Sequence, residues 1–264
     1  MGKFDGILLC TDFDRTFADR TVVSRENCEA VRYFEENGGR FTVVSGRHPA
    51  FLRDHQIGYR VNAPLVGYNG GLIMDANTEK MLYRGGRNDL TALMLVRSLW
   101  ERDERISQIV LHDESDRSLS LYRTPCDKAD TVPDFEALLA GVKLPIYNVL
   151  CVSKLKEDAI SVARDLNEIC GDGFVACRSW AYGVELICAH DQKGVAAKRL
   201  KHLLGAELLV TVGDFENDVS MLQAADIAYA VENAEPVVKA VADRITVPYT
   251  EHAIAAIVEE LSRR

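Results

Sequence analysis

Short apolar runs alternate with stretches whose apolar positions recur three and four residues apart, and they do so clearly at both ends of the chain. Ile7-Leu8-Leu9-Cys10 is a continuous apolar run bounded by polar residues, the pattern of a short buried strand. Ser24 then stands as N-cap before Cys28, Val31 and Phe34 at helical spacing, and Gly38-Gly39 stops that helix. Residues 40–44 read as a second strand running into Ser45-Gly46-Arg47, with His48-Pro49 opening the next helix. A further short strand at 64–68 ends at Asn69-Gly70-Gly71, and 72–74 with 80–83 suggests a small hairpin. Near the other terminus, 207–212 is the clearest strand of the chain, ending in Gly213-Asp214-Phe215-Glu216-Asn217-Asp218 ahead of a helix. Strand, helix, strand and a last amphipathic helix follow. Alternation of this kind implies parallel strands joined by right-handed crossovers.

The middle follows a different grammar. Gly85-Gly86 reads as a hinge. Beyond it come helical stretches near 88–101 and 154–169 and β-like runs at 108–112, 118–122, 146–152 and 174–177, the pattern of an α+β module with an antiparallel sheet. The run 184–188 is taken as the return to the core, with Lys193-Gly194 opening a helix to about Leu204. The predicted fold is therefore α/β: a Rossmann-like parallel sheet flanked by helices, built from 1–84 and 184–264, with an α+β domain inserted at 85–183.

Composition narrows the function. At 264 residues and a net charge of −9, with Lys and Arg scattered, the chain is unsuited to nonspecific binding of nucleic acid or anionic membranes, so an anionic substrate must be held by local cations. No apolar run approaches membrane-spanning length and the N-terminal apolar stretch is too brief for a signal peptide, which predicts a cytoplasmic protein. Seven cysteines, odd in number and without a Cys-x-x-Cys pair, predict reduced and mostly buried thiols.

The candidate chemistry lies where predicted core strands end. Asp12 and Asp14 stand on alternate residues after the first strand, so one acid can attack while the other passes a proton. Acids so close repel, and a hard cation with oxygen ligands relieves that repulsion. Three more polar loops follow: Ser45–Arg47, the segment ending at Lys193, and Gly213–Asp218. In open parallel sheets ligands sit outside the carboxyl ends of the strands, where such loops gather. Singly, each is an ordinary turn or capping residue; their order and placement give them weight.

Asp12-Phe13-Asp14-Arg15-Thr16, Ser45-Gly46-Arg47, Asn69-Gly70-Gly71, Lys193-Gly194 and Gly213–Asp218 together resemble the haloacid dehalogenase superfamily, in particular its Cof-like, cap-bearing phosphatases of type IIB. Ala230-Val231-Glu232-Asn233-Ala234 is similar to the closing segment of that family. The resemblance covers both core segments, while the insert matches in position and size more than in sequence. It implies a Mg2+-dependent phosphatase acting on small phosphorylated metabolites, sugar phosphates among them, through an aspartyl phosphate. Asp12 would be the nucleophile, Asp14 the general acid and base, and Lys193 a cation beside the nucleophile. Ser45, Gly46, Arg47, Asn69 and Asn217 would bind phosphate or substrate. The metal would be held by Asp12, the backbone carbonyl of Asp14 and Asp214, with Asp218 acting through water. The inserted domain would be a cap that selects the leaving group. A phosphosugar mutase of the same fold, a receiver-like signalling protein and a non-catalytic phosphate-binding protein are the alternatives. Two residues depart from the family pattern: Arg15 replaces a usual glycine, at a strain of roughly 1 kcal/mol if its φ is positive, and Phe215 replaces a small residue. Arg15 has a second possible role, projecting toward the cap to bind a substrate anion.

Overall fold

The computed structural model describes residues 2–114, 118–126 and 128–263. It divides into two compact units, one made of Met1–Arg84 with Gln192–Arg264 and the other of Gly85–Asp191.

In the first unit, the described residues form a sheet of five strands in the order Arg244–Thr246, Ile227–Val231, Leu208–Gly213, Ile7–Thr11, Arg40–Val43, all parallel. Helices cover both faces, which is why the central strands are apolar without alternation: Leu8, Leu9, Cys10, Leu209, Val210 and Val212 are all fully buried. A parallel bridge from Val44 to Val66 carries the sheet on to Leu65–Gly67, which pairs antiparallel with Leu72–Met74 and through it with Met81–Arg84. The first strand feeds the edge strand Arg40–Val43 on one side, and the returning chain adds Leu208–Gly213 on the other. Strand order therefore reverses between Ile7–Thr11 and Leu208–Gly213, and the carboxyl ends of these two strands open the crevice that doubly wound sheets use for ligands.

Local chemistry explains the helices. Ser24 Oγ accepts from the Asn27 amide at 3.3 Å, and Cys28, Val31 and Phe34 bury one stripe of the helix Arg25–Glu36. His48 Nδ1 caps the Ala50 amide at 3.1 Å ahead of Pro49–Asp54, whose first residue is the proline. The final helix, Ala253–Leu261, begins at His252 without a cap from its own side chain. Fully buried Asn27 supplies one instead: its Oδ1 accepts from the Ala255 amide at 3.1 Å, while its Nδ2 donates to the Phe17 carbonyl at 3.3 Å.

The described residues of the second unit form a sheet of six strands, ordered Thr131–Val132, Leu119–Tyr122, Ile106–Asp113, Ile146–Ser153, Gly183–Cys188, Phe174–Trp180. It is antiparallel except for the first pair. Helices Thr91–Trp100, Phe135–Gly141 and Lys156–Ile169 contribute to its apolar cluster with Ile109, Leu111, Val149 and Leu186. The sequence pattern overlooked Thr131–Val132 and Phe135–Gly141. One is two residues long, and the other is a seven-residue helix whose clearest signal is the Asp134 carboxylate accepting from the Ala137 amide at 2.8 Å.

The expected return to the core at residue 184 is corrected. Gly183–Cys188 pairs with Ile146–Ser153 on one side and Phe174–Trp180 on the other, so it is an interior strand of the inserted sheet and the core resumes at Gln192. A strand buried on both faces reads the same in either sheet, so its apolar pattern did not reveal its partner. Among the described residues, no helix is long and apolar enough to cross a membrane.

Asn27 joins the loop after the first strand to the last helix, so Asn27→Ala leaves the Phe17 carbonyl and the Ala255 amide without their partner. Urea denaturation should show a loss of about 2–3 kcal/mol. A loss near zero would mean that this link contributes nothing to the union of the two chain ends.

Candidate active site

Asp12 leaves the sheet immediately after the first strand, its amide donating to the Val212 carbonyl at 3.0 Å. The chain then folds back on itself: the amides of Phe17 and Ala18 donate to the Phe13 carbonyl at 3.1 and 2.8 Å, and the Arg15 amide to the Ala18 carbonyl at 2.8 Å. Arg15 takes φ 60°, the conformation for which glycine is better suited. Asn233 Nδ2 donates to the Arg15 carbonyl at 3.0 Å and helps hold that turn.

Lys193 begins the helix Lys193–Leu204 and is completely buried. A cation in the first turn opposes the helix dipole, and burial adds to that cost. Two carboxylates offset both: Nζ donates to Asp12 Oδ1 and to Asp218 Oδ1, each at 2.7 Å. Asp218 is fixed from its other oxygen, which accepts from the amides of Asp214 and Phe215 at 2.9 and 3.1 Å. Two glycines permit this crowding. A Cβ on Gly194 would fall 2.1 Å from the Ser220 carbonyl oxygen, and one on Gly213 would fall 2.5 Å from Asp218 Cβ. Asp214 accepts from Thr16 Oγ1 at 3.3 Å and stands 4.0 Å from Arg15 Nε.

Carboxylate oxygens of Asp12, Asp214 and Asp218 lie within 4.8 Å of one another. Three buried acids face one ammonium, so the cluster carries excess negative charge in a poorly solvated place. Burial pushes the Asp12 carboxyl well above the usual range; Lys193 opposes the shift, and Asp218, Asp214 and Asp14 reinforce it. Burial and then repulsion from Asp218 push Asp214 up to about 7, against Arg15, Lys193 and the Thr16 hydroxyl. For Lys193, burial by itself would lower the pKa, but Asp12 and Asp218 outweigh it and the group stays cationic. All-oxygen donors with surplus negative charge fit a hard divalent cation such as Mg2+.

The other expected residues divide. Asp14 does not join the three-acid cluster. Arg47 grips its carboxylate with two hydrogen bonds, Nε to Oδ2 and Nη2 to Oδ1, both 2.7 Å. The guanidinium lies over the Phe51 ring, 4.4 Å from its centroid, so Arg47 positions the second acid, a role the sequence reading did not give it. Ser45 is buried at the end of the neighbouring strand: its amide donates to the Val66 carbonyl at 3.0 Å and its Oγ accepts from the Arg47 amide at 3.2 Å, across Gly46. Its carbonyl accepts from the amide of Asn69, which is buried at φ 56°. Asn217 Nδ2 donates to Asn69 Oδ1 at 3.0 Å, tying the last acidic loop to the Asn69 turn. Thr16 and Phe51 were missed as contributors; Thr16 lay inside the first motif without a role, and nothing local marked Phe51.

A parallel α/β sheet thus carries at its switch point a buried lysine shared by carboxylates from two distant loops. The sequence profile of the haloacid dehalogenase-like hydrolases matches residues 9–258, and the chain belongs to that family. It is 24% identical over 278 residues to the putative phosphatase YxeH of Bacillus subtilis, covering 96% of this chain and 97% of that protein. The fold is also that of a haloacid dehalogenase-like hydrolase structure from B. subtilis, with TM-score 0.81 at 22% identity over 96% of this chain and 99% of that one. It is likewise that of the HAD subclass IIB sugar phosphatase BT4131, with TM-score 0.76 at 18% identity over 96% and 98%.

The raised carboxyls give a signed expectation. The native state holds a proton on Asp214 that the unfolded chain has released, so metal-free stability falls as pH rises from about 4 to about 7. A cation competes with that proton. Mg2+ should therefore raise the melting temperature more at about pH 8 than at about pH 5, and Asp214→Asn should remove most of the difference. Equal shifts at both pH values would show that the cation does not bind these acids.

Proposed function

We propose that the protein is a Mg2+-dependent phosphatase that hydrolyses small phosphomonoesters, sugar phosphates among them, through an aspartyl phosphate on Asp12. The observation that carries this reading is the Lys193 ammonium held 2.7 Å from both Asp12 and Asp218, with Asp214 in the same cluster. Relatives named as phosphatases, YxeH among them, and the sugar phosphatase of like fold support it.

In the first step an oxygen of Asp12 attacks phosphorus, the bond to the leaving oxygen breaks, and the protonated Asp14 gives that oxygen its proton. In the second step water attacks phosphorus, Asp14 takes the water's proton, and the bond to Asp12 breaks to release phosphate and restore both acids. The hydroxyl of Ser45, the backbone at Gly46 and the amide of Asn217 serve as donors to phosphate oxygens, and the Asn69 side chain orients Asn217. Lys193 neutralises charge on Asp12 and on the transferring group. Asp12, Asp214 and the backbone carbonyl of Asp14 would hold Mg2+, with Asp218 acting through water; when bound, the cation supplies charge neutralisation at the phosphoryl group. Both Asp14 oxygens accept from the Arg47 guanidinium at 2.7 Å, so this pair has to loosen before Asp14 can reach the leaving group with a proton. Arg15, with its guanidinium near Asp214, adjusts the charge of the acid cluster in this reading. The inserted unit is what chooses among leaving groups.

Hydrolysis of p-nitrophenyl phosphate with and without Mg2+ tests the assignment. Asp12→Asn should cut kcat by about 10⁴-fold or more while circular dichroism and melting remain native. Wild-type-like turnover in that variant would remove the mechanism.

The role of Asp14 is separable by leaving group. p-Nitrophenolate departs without a proton, whereas an alkoxide needs one. Asp14→Asn should therefore slow alkyl phosphate hydrolysis about 10²-fold or more, and p-nitrophenyl phosphate markedly less. An equal loss on both substrates would assign Asp14 to positioning only.

A further inference from the structure

Phe51 stands where two lines of contact reach the first acidic turn. Its ring meets Phe13 edge-on, centroids 6.4 Å apart and planes at 87°, and Phe13 is the fully buried residue between Asp12 and Asp14. One face of the same ring carries the Arg47 guanidinium, 4.4 Å from the centroid, and among the described residues that guanidinium donates hydrogen bonds to Asp14 alone. His55 is stacked on the ring as well, centroids 3.9 Å apart and planes 23° from parallel. Two groups this close to one ring cannot share a face, so the guanidinium and the imidazole enclose Phe51 from opposite sides. His55 Nδ1 lies 2.7 Å from the Phe51 carbonyl, which can only accept, so the imidazole donates and is tied to the residue on which it stacks. The spacing 47, 51, 55 brings the three side chains to one side of the helical segment around Pro49–Asp54.

The backbone of Arg47 is fixed independently of its side chain. Its amide donates to Ser45 Oγ at 3.2 Å, its carbonyl accepts from the Tyr68 amide at 3.1 Å, and a Cβ on Gly67 would fall 2.6 Å from that carbonyl oxygen. The side chain beyond it is long and 37% exposed, and such a chain stays in one rotamer only where something holds it. Asp14 cannot be the sole anchor, because it has to turn away from Arg47 to reach the leaving group. We propose that Phe51 is a positioning residue for proton delivery, with His55 as its buttress: the ring face holds the Arg47 guanidinium, and the guanidinium sets the direction of the Asp14 carboxylate. The inference rests on the reading of Asp14 as the proton carrier. When Asp14 turns toward the leaving oxygen, the ring keeps the guanidinium in place, so the carboxylate leaves and regains a fixed point. Phe51 acts in this only through Arg47. A leucine in its place fills most of the space against Phe13 and presents no π face to a cation.

The effect is read as a ratio of kcat values, with Mg2+ present, on an alkyl phosphate, whose leaving group needs a proton, and on p-nitrophenyl phosphate, whose leaving group does not. Phe51→Leu should lower the alkyl-to-aryl ratio about fivefold or more, and Phe51→Tyr, which keeps the ring face, should hold it within about twofold of the unmodified chain. In an Asp14→Asn background Phe51→Leu should change the ratio no further, because its effect passes through that carboxylate. His55→Ala, at a partly exposed position, should move the ratio in the same direction by about twofold, and it carries the test if leucine at 51 impairs folding. A residue that served packing alone would slow both substrates equally and would do so with or without the Asp14 carboxylate. An unchanged ratio in Phe51→Leu or in His55→Ala, an undiminished effect in the Asp14→Asn background, or a Phe51→Tyr variant as impaired as Phe51→Leu would each overturn the proposal while leaving an active phosphatase. Absence of Mg2+-dependent turnover of either substrate by the unmodified chain is the different result that would overturn the phosphatase reading and this inference with it.

Discussion

The catalytic unit depends on one buried ammonium. Lys193 has no access to solvent, and its charge is tolerable only because Asp12 and Asp218 meet it at 2.7 Å. The reverse also holds: without the ammonium, three carboxylates within 4.8 Å of each other would face an environment that rejects charge. None of these residues is a source of net stability in isolation. The arrangement persists because the surrounding sheet and helices over-determine it, and its surplus negative charge suits a hard divalent cation. Gly194 and Gly213 belong to the same constraint, since a side chain at either would push apart the segments that carry Lys193 and Asp218.

Sheet topology converts that constraint into a fold. Asp12 and Lys193 are 181 residues apart, on opposite sides of the inserted unit. Ile7–Thr11 pairs in parallel register with Leu208–Gly213, Thr11 opposite Val212, so both strands deliver their following loops, with Asp12 and Asp218, to one rim, and Lys193 at the start of the helix before the second strand donates to both acids there. The insertion is compatible with this register because it leaves after Arg84 and returns at Gln192, without entering the parallel sheet. Ser45 arrives at the same rim by the pairing of Thr11 with Val43.

The residues that depart from the family pattern are accommodated by specific contacts. Arg15 adopts a positive φ, 60°, and its backbone is secured by Ala18 and Asn233 while its guanidinium approaches Asp214. The strain is thereby exchanged for a cation near a crowded acid. Phe215 is buried, and its amide still donates to Asp218, so the change of side chain leaves the backbone chemistry of that loop intact.

Much was legible in the chain itself. The run from Ile7 to Cys10, the Ser24 cap and the acids at 12, 14, 214 and 218 follow from local rules: apolar runs seek burial, capping residues satisfy amides, and carboxylates gather where strands end. What the tertiary structure decided is everything that depends on a partner distant in sequence. It assigned Gly183–Cys188 to the inserted sheet, gave Arg47 to Asp14 and gave Thr16 to Asp214. Periodicity reports which face of an element is buried, whereas hydrogen-bond direction and charge pairing depend on what lies opposite, and that is known only once the chain has closed on itself.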